Sequence, residues 1–116
     1  MGGTTKDRLH GTLDVLILKT LSAGPLHGYA ISRWIREKSG EELSVEEGAL
    51  YPALRRLERK GWLTAEWGET DTGRDARFYQ LTAAGNERLG EELGTWRRYV
   101  AAMTRVLDAA APVAGS

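Results

Sequence analysis

The segment from Ser44 to Gly61, SVEEGALYPALRRLERKG, constrains the fold of this chain more than any other. Ser44 and Glu47 have the spacing of a capping box, in which a hydroxyl and a carboxylate each accept a backbone N–H at a helix start. Gly61 is a residue type that adopts the left-handed conformation that ends many helices. We therefore predict a helix between these two signals.

This helix has one apolar face and one cationic face. The apolar stripe is formed by Leu50, Leu54 and Leu57, which recur at spacings of four and three. Val45 and Ala53 lie at its margins. Cationic helix faces are often plain solvated surface, so the neighbouring segments must decide between that interpretation and DNA binding. At 3.6 residues per turn, the outward face and its flanks carry Gly48, Ala49, Tyr51, Pro52, Arg55, Arg56 and Arg59.

After Gly61 the pattern changes from helical to alternating. Residues 62–67 and 76–82 are predicted strands, and GETDTGRD is the turn that joins them. The predicted order of elements is two helices, a capped basic helix and a hairpin, which is the order of a winged helix-turn-helix. In that fold the third helix lies in the major groove of DNA. The predicted fold class is α+β, mainly α, with the winged helix-turn-helix domain at residues 9–82.

The first helix is predicted at residues 9–21 from apolar residues at helical spacing, with Thr12 as its N-cap. Gly24 and Pro25 follow it and break the pattern. Residues 1–8 are polar, and we expect a flexible N-terminal arm there.

The second helix is predicted at residues 27–39, where it buries Ile31, Trp34 and Ile35. Two interpretations fit His27 at its start: a capping or packing residue, or a ligand or switch. Because the chain has only two histidines and no cysteine, we expect no metal site.

Four segments carry a more specific signal: GTLDVLILKTL at 11–21, GPLHGYAI at 24–31, GALYPALRRLERKGWL at 48–63 and FYQLTAAG at 78–85. Together they resemble the PadR family of bacterial transcriptional regulators. The resemblance spans roughly residues 9–107, and LYPALxRLExxG is its most specific run. It implies a dimeric winged-helix repressor that binds double-stranded DNA and that small molecules can release. We expect no cofactor.

Three residues complicate the predicted DNA-reading surface. Pro52 removes one helical hydrogen bond and crowds the carbonyl of Gly48, but the resemblance implies that a proline is usual here, so we keep the helix and expect a small irregularity. Ala49 stands where the family often has a hydroxyl residue, and Asp75 lies in a stretch that is commonly more basic. These departures indicate weaker binding or a different operator.

The hairpin tip carries Arg74 and Arg77 beside Glu69, Asp71 and Asp75. An arginine near the end of a wing is a candidate contact to phosphate or to the minor groove. The neighbouring acids weaken such a contact, so a plain solvated loop stays an alternative.

The charge balance limits where DNA can bind. Sixteen basic and sixteen acidic residues give a formal net charge of zero, so attraction to DNA must come from local charge separation. The absence of cysteine fits a reducing compartment. We also find no apolar run long enough for a membrane span or a signal peptide, and we expect a cytoplasmic protein without membrane contact.

The last helix is predicted at residues 83–107, with Thr82 as its N-cap. At 1.5 Å per residue it is about 37 Å long, which is longer than this small core needs. We therefore predict that it packs against a second copy as a dimerisation helix, and that residues 108–116 form a disordered tail. Its seam repeats at spacings of four and three and consists of Leu89, Leu93, Trp96, Val100, Met103 and Leu107.

Trp96 lies in the middle of this seam, and two interpretations fit it. Tryptophan is enriched among the residues that dominate interface energies, so it can anchor the dimer. Alternatively, Trp96 is an aromatic platform for a flat, apolar effector held between the subunits, as the resemblance implies, and the pocket is bounded by Trp96, Val100 and the N-terminal helix. Gly90 and Gly94 each cost a helix about 1 kcal/mol, which is consistent with close helix packing or with a helix that flexes to open a pocket.

We expect no enzymatic activity and no catalytic residue, because no phosphate-binding glycine loop or nucleophile motif occurs. The predicted function is a dimeric, sequence-specific DNA-binding repressor that acts at an inverted-repeat operator. The alternative is a winged-helix module that binds protein. Salt distinguishes the two, because affinity for phosphates falls steeply as salt is added.

Overall fold

The computed structural model of the chain describes residues 5–115, with side chains from residue 12 onward. The described residues form four α-helices, a 3₁₀ turn (Leu21–Ala23) and three strands. The helices are α1 (Thr5–Thr20), α2 (Gly28–Lys38), α3 (Glu47–Arg59) and α4 (Ala83–Asp108). The strands are β1 (Leu26–His27), β2 (Leu63–Glu69) and β3 (Asp75–Leu81).

The core lies between the first three helices, the base of the hairpin and the start of α4. The predicted stripe of α3 is confirmed, because Leu50, Ala53, Leu54 and Leu57 are all buried and Val45 packs at the edge. The full buried set is Val15, Ile17, Leu18, Leu21, Ile31, Ile35, Leu50, Ala53, Leu54, Leu57, Leu63, Tyr79 and Leu89.

The strands form one antiparallel sheet in the order β1-β3-β2. The predicted hairpin is confirmed, with Leu63 opposite Leu81 at its base and Glu69 opposite Asp75 at its end. The pattern did not predict β1, because two residues are too few to show an alternation. In the structure Leu26 pairs with Tyr79 and adds a third strand to the hairpin.

The start of α1 differs from the prediction. The helix begins at Thr5, so residues 5–8 are helical rather than a flexible arm, and Thr12 lies inside the helix instead of capping it. No proline occurs between residues 5 and 20, and the single Gly11 costs only about 1 kcal/mol, which does not stop a helix. The rest of the predicted arm, residues 1–4, lies outside the described residues.

The capping box predicted for α3 is also wrong. The helix begins at Glu47, and Glu46 is its N-cap, with extended backbone angles of φ −74° and ψ 152°. Among the described residues, Glu46 makes no side-chain capping bond, although its carbonyl accepts the N–H groups of Ala49 and Leu50 at 3.0 and 2.9 Å. The first turn is exposed, so water can satisfy its N–H groups and Ser44 is not required.

The end of α3 confirms the prediction for Gly61, which has a φ of 79°. Its N–H donates to the carbonyl of Glu58 at 3.0 Å, and the N–H of Trp62 donates to the carbonyl of Leu57 at 3.1 Å. These two bonds form a Schellman motif. The helix is continuous through Pro52.

The last helix divides its apolar seam between two environments. Thr82 caps α4 as predicted, because its hydroxyl accepts the N–H of Gly85 at 2.9 Å. Leu89 is buried in the core and Leu93 packs at its edge, so Leu89 is not available for the predicted dimer contact. The physical reason is that the first turns of α4 lie on α1. The helix also runs one residue further than predicted, through the first residue of the predicted tail, Asp108.

The rest of the seam projects beyond the core and makes the molecule elongated, with dimensions of 66 × 28 × 25 Å. Trp96, Val100 and Met103 are each 41–42% exposed, and Leu107 is 72% exposed. The apolar face of α4 from Trp96 onward is therefore uncovered in the described chain.

Candidate nucleic-acid interface

A groove of about 1060 Å³ lies between the start of α2, the outer face of α3 and the hairpin β2–β3. It combines aromatic rings and guanidinium groups from three elements that are separate in sequence. The side chains that matter here are Tyr29 and Arg33 from α2, Tyr51 and Arg55 from α3, and Trp67, Arg74 and Arg77 from the hairpin.

Burial of the leucine stripe turns the opposite face of α3 outward. The residues exposed on this face include most of those predicted to bind DNA, namely Gly48, Ala49, Tyr51, Pro52, Arg55 and Arg59. The ring of Tyr51 crosses to α2, where a Cβ added at Gly28 would lie 2.7 Å from the Tyr51 hydroxyl oxygen. Gly28 therefore provides the space that lets Tyr51 lie at the groove.

Arg56 is the exception on α3. Its guanidinium forms an ion pair and hydrogen bond with Asp14 of α1, and both side chains are largely buried. Since this contact joins α3 to α1, Arg56 stabilises the packing of the two helices. Arg56 is also absent from the residues that line the groove.

The two arginines of the wing have different environments. Arg74 is exposed beside the turn, where its backbone N–H donates to the Thr70 hydroxyl at 3.2 Å. Arg77 donates from Nη2 to Glu58 Oε2 on α3 at 3.1 Å, and its guanidinium lies 5.8 Å from the centre of the Tyr79 ring. Burial raises the pKa of the Tyr79 hydroxyl above its ordinary value of 10.0, and the nearby Arg77 partly opposes this shift.

Sequence reasoning missed three residues of the groove. Tyr29 is 64% exposed, and the guanidinium of Arg33 lies over its ring at 5.6 Å. Tyr29 and Arg33 lie on the face of α2 opposite the buried Ile31 and Ile35, so the helical periodicity of the sequence could have predicted that they are exposed. Trp67 is 74% exposed, although the strand alternation groups it with the core residue Leu63, because the hairpin extends past the core.

The charges of the groove suit a polyanion on its helical side. The helices contribute Arg33 and Arg55 to the groove, whereas the hairpin contributes three acids, Glu69, Asp71 and Asp75, together with Arg74 and Arg77. Guanidinium and tyrosyl hydroxyl groups are common donors to phosphate oxygens. The formal net charge of zero therefore hides a local separation, since α2 and α3 supply only cations to the groove and all of its acids lie on the hairpin.

The structure favours the capping interpretation of His27. Its Nδ1 accepts the N–H of Ala30 at 3.0 Å at the start of α2. Within residues 12–115, no cluster of three or more metal-ligating side chains was found. Among the described helices, none is both long and apolar enough to cross a membrane.

Trp96 lies on the projecting part of α4, away from the groove. Its ring centre is 5.7 Å from that of Tyr99, in a tilted arrangement. Neither Trp96 nor Val100 lines the groove or the smaller cavity between residues 21–25 and 80–86. A pocket that uses Trp96 and Val100 therefore requires a further surface, such as a second copy of the chain.

Comparisons with known proteins agree with this architecture. The profile of the Transcriptional regulator PadR-like family matches residues 17–91, which include α2, α3 and the hairpin. An uncharacterized protein of Lysinibacillus sphaericus is 30% identical over 90 residues, which are 78% of this chain and 83% of that protein.

Two further relatives are regulators by name. The negative transcriptional regulator PadR of Bacillus subtilis strain 168 is 31% identical over 81 residues, which are 70% of this chain but only 44% of that longer protein. The crystal structure of a PadR family transcription regulator from Clostridium difficile R20291 superposes with a TM-score of 0.71 at 29% identity, covering 82% of this chain and 97% of that one.

Proposed function

This chain belongs to the PadR-like family of transcriptional regulators, and from that premise we propose that it is a dimeric, sequence-specific DNA-binding repressor. The observation that carries the proposal is the exposed face of α3, where Tyr51 and Arg55 lie beside a groove shared with the wing. A helix with a buried apolar stripe and an exposed cationic face suits the major groove of DNA.

In this proposal α3 reads bases and its neighbours hold the backbone. Ala49, Tyr51 and Arg55 face the base edges, because they lie on the exposed side of the helix. Tyr29 and Arg33 of α2 contact the adjacent phosphates, and Arg74 of the wing reaches the backbone or the minor groove. The acids of the wing turn make that last contact weaker than the contacts of α3.

We further propose that two copies associate through the uncovered seam of α4. Trp96, Val100, Met103 and Leu107 present an apolar surface that a second α4 can bury, with Leu93 at its inner end. Two α3 helices then read an inverted repeat whose half-sites lie about one helical turn apart or more. A cytoplasmic dimer on such an operator represses transcription by covering the promoter.

An effector is proposed to act through the connection between α3 and α4. The Thr82 hydroxyl donates to the carbonyl of Gly61 at 2.7 Å, and the backbone N–H of Thr82 donates to the carbonyl of Trp62 at 3.1 Å. These bonds join the end of the reading helix to the start of the dimer helix. A small aromatic ligand at Trp96 and Val100 that prefers another dimer geometry would therefore separate the two α3 helices from their half-sites.

The second candidate is a winged-helix module that binds protein, favoured by the formal net charge of zero. An apolar protein interface responds little to salt, whereas contacts to several phosphates make affinity fall steeply. DNA binding measured at several salt concentrations separates the two.

The first test replaces Arg55 with alanine. We expect specific binding to weaken by about 1–3 kcal/mol, because a guanidinium contact to a base edge or phosphate is lost. A duplex is first selected by the wild-type protein from a random pool, and dissociation constants are then measured by fluorescence anisotropy. Arg36→Ala is the matched control, since Arg36 is an exposed cation of α2 outside the groove. Equal losses in both variants would contradict a specific role for α3.

The effector proposal is tested by Trp96→Ala. A panel of planar aromatic compounds is screened for release of the wild-type protein from the selected duplex. We expect the variant to stay dimeric and bound to DNA but to lose the response to any active compound. Dissociation of the variant into monomers would instead identify Trp96 as an anchor of the interface.

A further inference from the structure

An ion pair joins the wing to the reading helix. Nη2 of Arg77 on β3 lies 3.1 Å from Oε2 of Glu58 on α3, and the two side chains are 39% and 30% exposed. Arg77 also lies over the Tyr79 ring, and its Nε is buried without a hydrogen-bond partner among the described residues. The guanidinium of Arg77 is therefore directed toward α3.

The pair joins the two elements that carry Arg55 and Arg74, which are proposed to contact DNA. Arg77 is opposite Trp67 in the hairpin, two residue pairs from the end of the ladder at Glu69 and Asp75. Glu58 lies on α3 one turn after Arg55, at a spacing of three. Trp67 itself is exposed, so the outer half of the hairpin has less apolar packing to hold it than the base at Leu63.

We propose that Glu58 and Arg77 are positioning residues that set the wing relative to α3, and that Arg77 does not itself bind phosphate. The inference rests on the proposed DNA-binding function and revises the sequence-based assignment of Arg77 as a DNA contact. With the pair in place, Arg55 on α3 and Arg74 on the wing meet the same duplex in one geometry.

The effect of Glu58→Gln on DNA affinity distinguishes a positioning role from a direct phosphate contact, because the two predict changes in opposite directions. Removing a carboxylate from a DNA-facing surface strengthens binding when only electrostatics matter, since DNA is a polyanion. If Arg77 bound phosphate, Glu58→Gln would also free the Arg77 guanidinium from its ion pair and so strengthen the contact to phosphate. Weaker binding after Glu58→Gln therefore identifies a positioning role.

The experiment compares Glu58→Gln, Arg77→Met and the charge swap Glu58→Arg with Arg77→Glu, all on the duplex selected by the wild-type protein. We expect each single variant to bind about threefold to tenfold more weakly, as for coupled residues in contact, with the salt dependence of the wild type. The swap keeps the net charge, and we expect it to recover most of the affinity. The control is Glu66→Gln, which neutralises an exposed carboxylate of the same hairpin outside the ion pair and the groove.

A second readout needs no DNA. Amide hydrogen exchange of the free protein should accelerate at residues 75–79 in Glu58→Gln and return toward the wild-type rate in the swap. Thermal unfolding of each variant confirms that the domain is still folded.

The outcomes separate the two proposals. Wild-type binding or tighter binding by Glu58→Gln, or a salt slope that falls by about 0.9 in Arg77→Met, would overturn the positioning role and make Arg77 a phosphate contact. Unchanged hydrogen exchange at residues 75–79 would overturn it as well. A wild-type protein that selects no duplex from the pool would overturn the proposed function itself.

Discussion

Val100→Glu is expected to convert the proposed dimer into monomers and to lower affinity for an inverted-repeat duplex by about 100-fold or more, because the two half-sites then bind independently. Val100 lies in the middle of the uncovered seam of α4, between Trp96 and Met103. Packing two seams together would bury both glutamates, and an unpaired buried carboxylate costs several kcal/mol.

The matched control for this variant is Ala102→Glu. Ala102 is an exposed residue two positions further along α4, and at 100° per residue its side chain lies away from the seam. Both variants add one negative charge to the same part of the helix. Analytical ultracentrifugation should show monomers for Val100→Glu and dimers for Ala102→Glu. Binding to the inverted-repeat duplex should be weakened in Val100→Glu and retained in Ala102→Glu. A dimer that survives Val100→Glu would place the interface elsewhere.

Gly85→Ala is expected to destabilise the fold by about 3 kcal/mol or more, at the upper end of the cost of overpacking. A Cβ at position 85 would lie 2.0 Å from the carbonyl oxygen of Trp62 and 2.9 Å from its carbonyl carbon. These are backbone atoms of the short segment between α3 and β2, and the same carbonyl accepts the N–H of Thr82. The added methyl group must therefore push the start of α4 away from the Trp62 backbone and break that bond.

Gly90→Ala in the same helix is the control. Gly90 is exposed, and a Cβ there meets nothing within 4 Å in the described chain. Because alanine has a higher helix propensity than glycine, we expect a gain of about 1 kcal/mol. Urea unfolding at a fixed protein concentration measures both variants. A Gly85→Ala protein as stable as the wild type would mean that α4 lies less close to the Trp62 backbone than described.

The Gly85 contact also matters for the proposed regulation. Two cations contact the Trp62 ring, with Lys60 Nζ at 4.9 Å and the Arg88 guanidinium at 4.8 Å from its centre. Lys60 is the C-cap of α3, and Arg88 belongs to the second turn of α4. The ring contacts of Trp62 therefore connect the end of α3 to the start of α4, as the backbone hydrogen bond of Thr82 does. In the proposed dimer, a rotation of α4 would therefore move the C-terminal end of α3.

Local patterns predicted several elements because their causes lie within one or two turns of chain. The stripe of Leu50, Leu54 and Leu57 follows from helical periodicity alone. Gly61 and Thr82 satisfy backbone groups a few residues away, so their roles as helix ends are visible in the sequence. Ser44 also has a local signal, but at an exposed helix start water competes with the side chain, and the pattern was misleading.

The partners of the arginines and the exposure of Trp67 were not predictable in this way. Arg56 and Arg77 have the same charge, and each pairs with an acid that is distant in sequence: Asp14 pairs with Arg56 across 42 positions, and Glu58 pairs with Arg77 across 19. Trp67 continues the alternation of Leu63 and is nevertheless exposed, because the hairpin is longer than the core beneath it.

Periodicity and end signals therefore predicted the helices α3 and α4 and the hairpin between them, since hydrophobic burial and backbone hydrogen bonding act along the chain. The assembly of the groove from α2, α3 and the wing, and the division of the α4 seam after Leu93, depend on which distant surfaces meet. Those contacts arise only when the helices pack, because the energy of an ion pair or a buried ring depends on the separation in space of its partners.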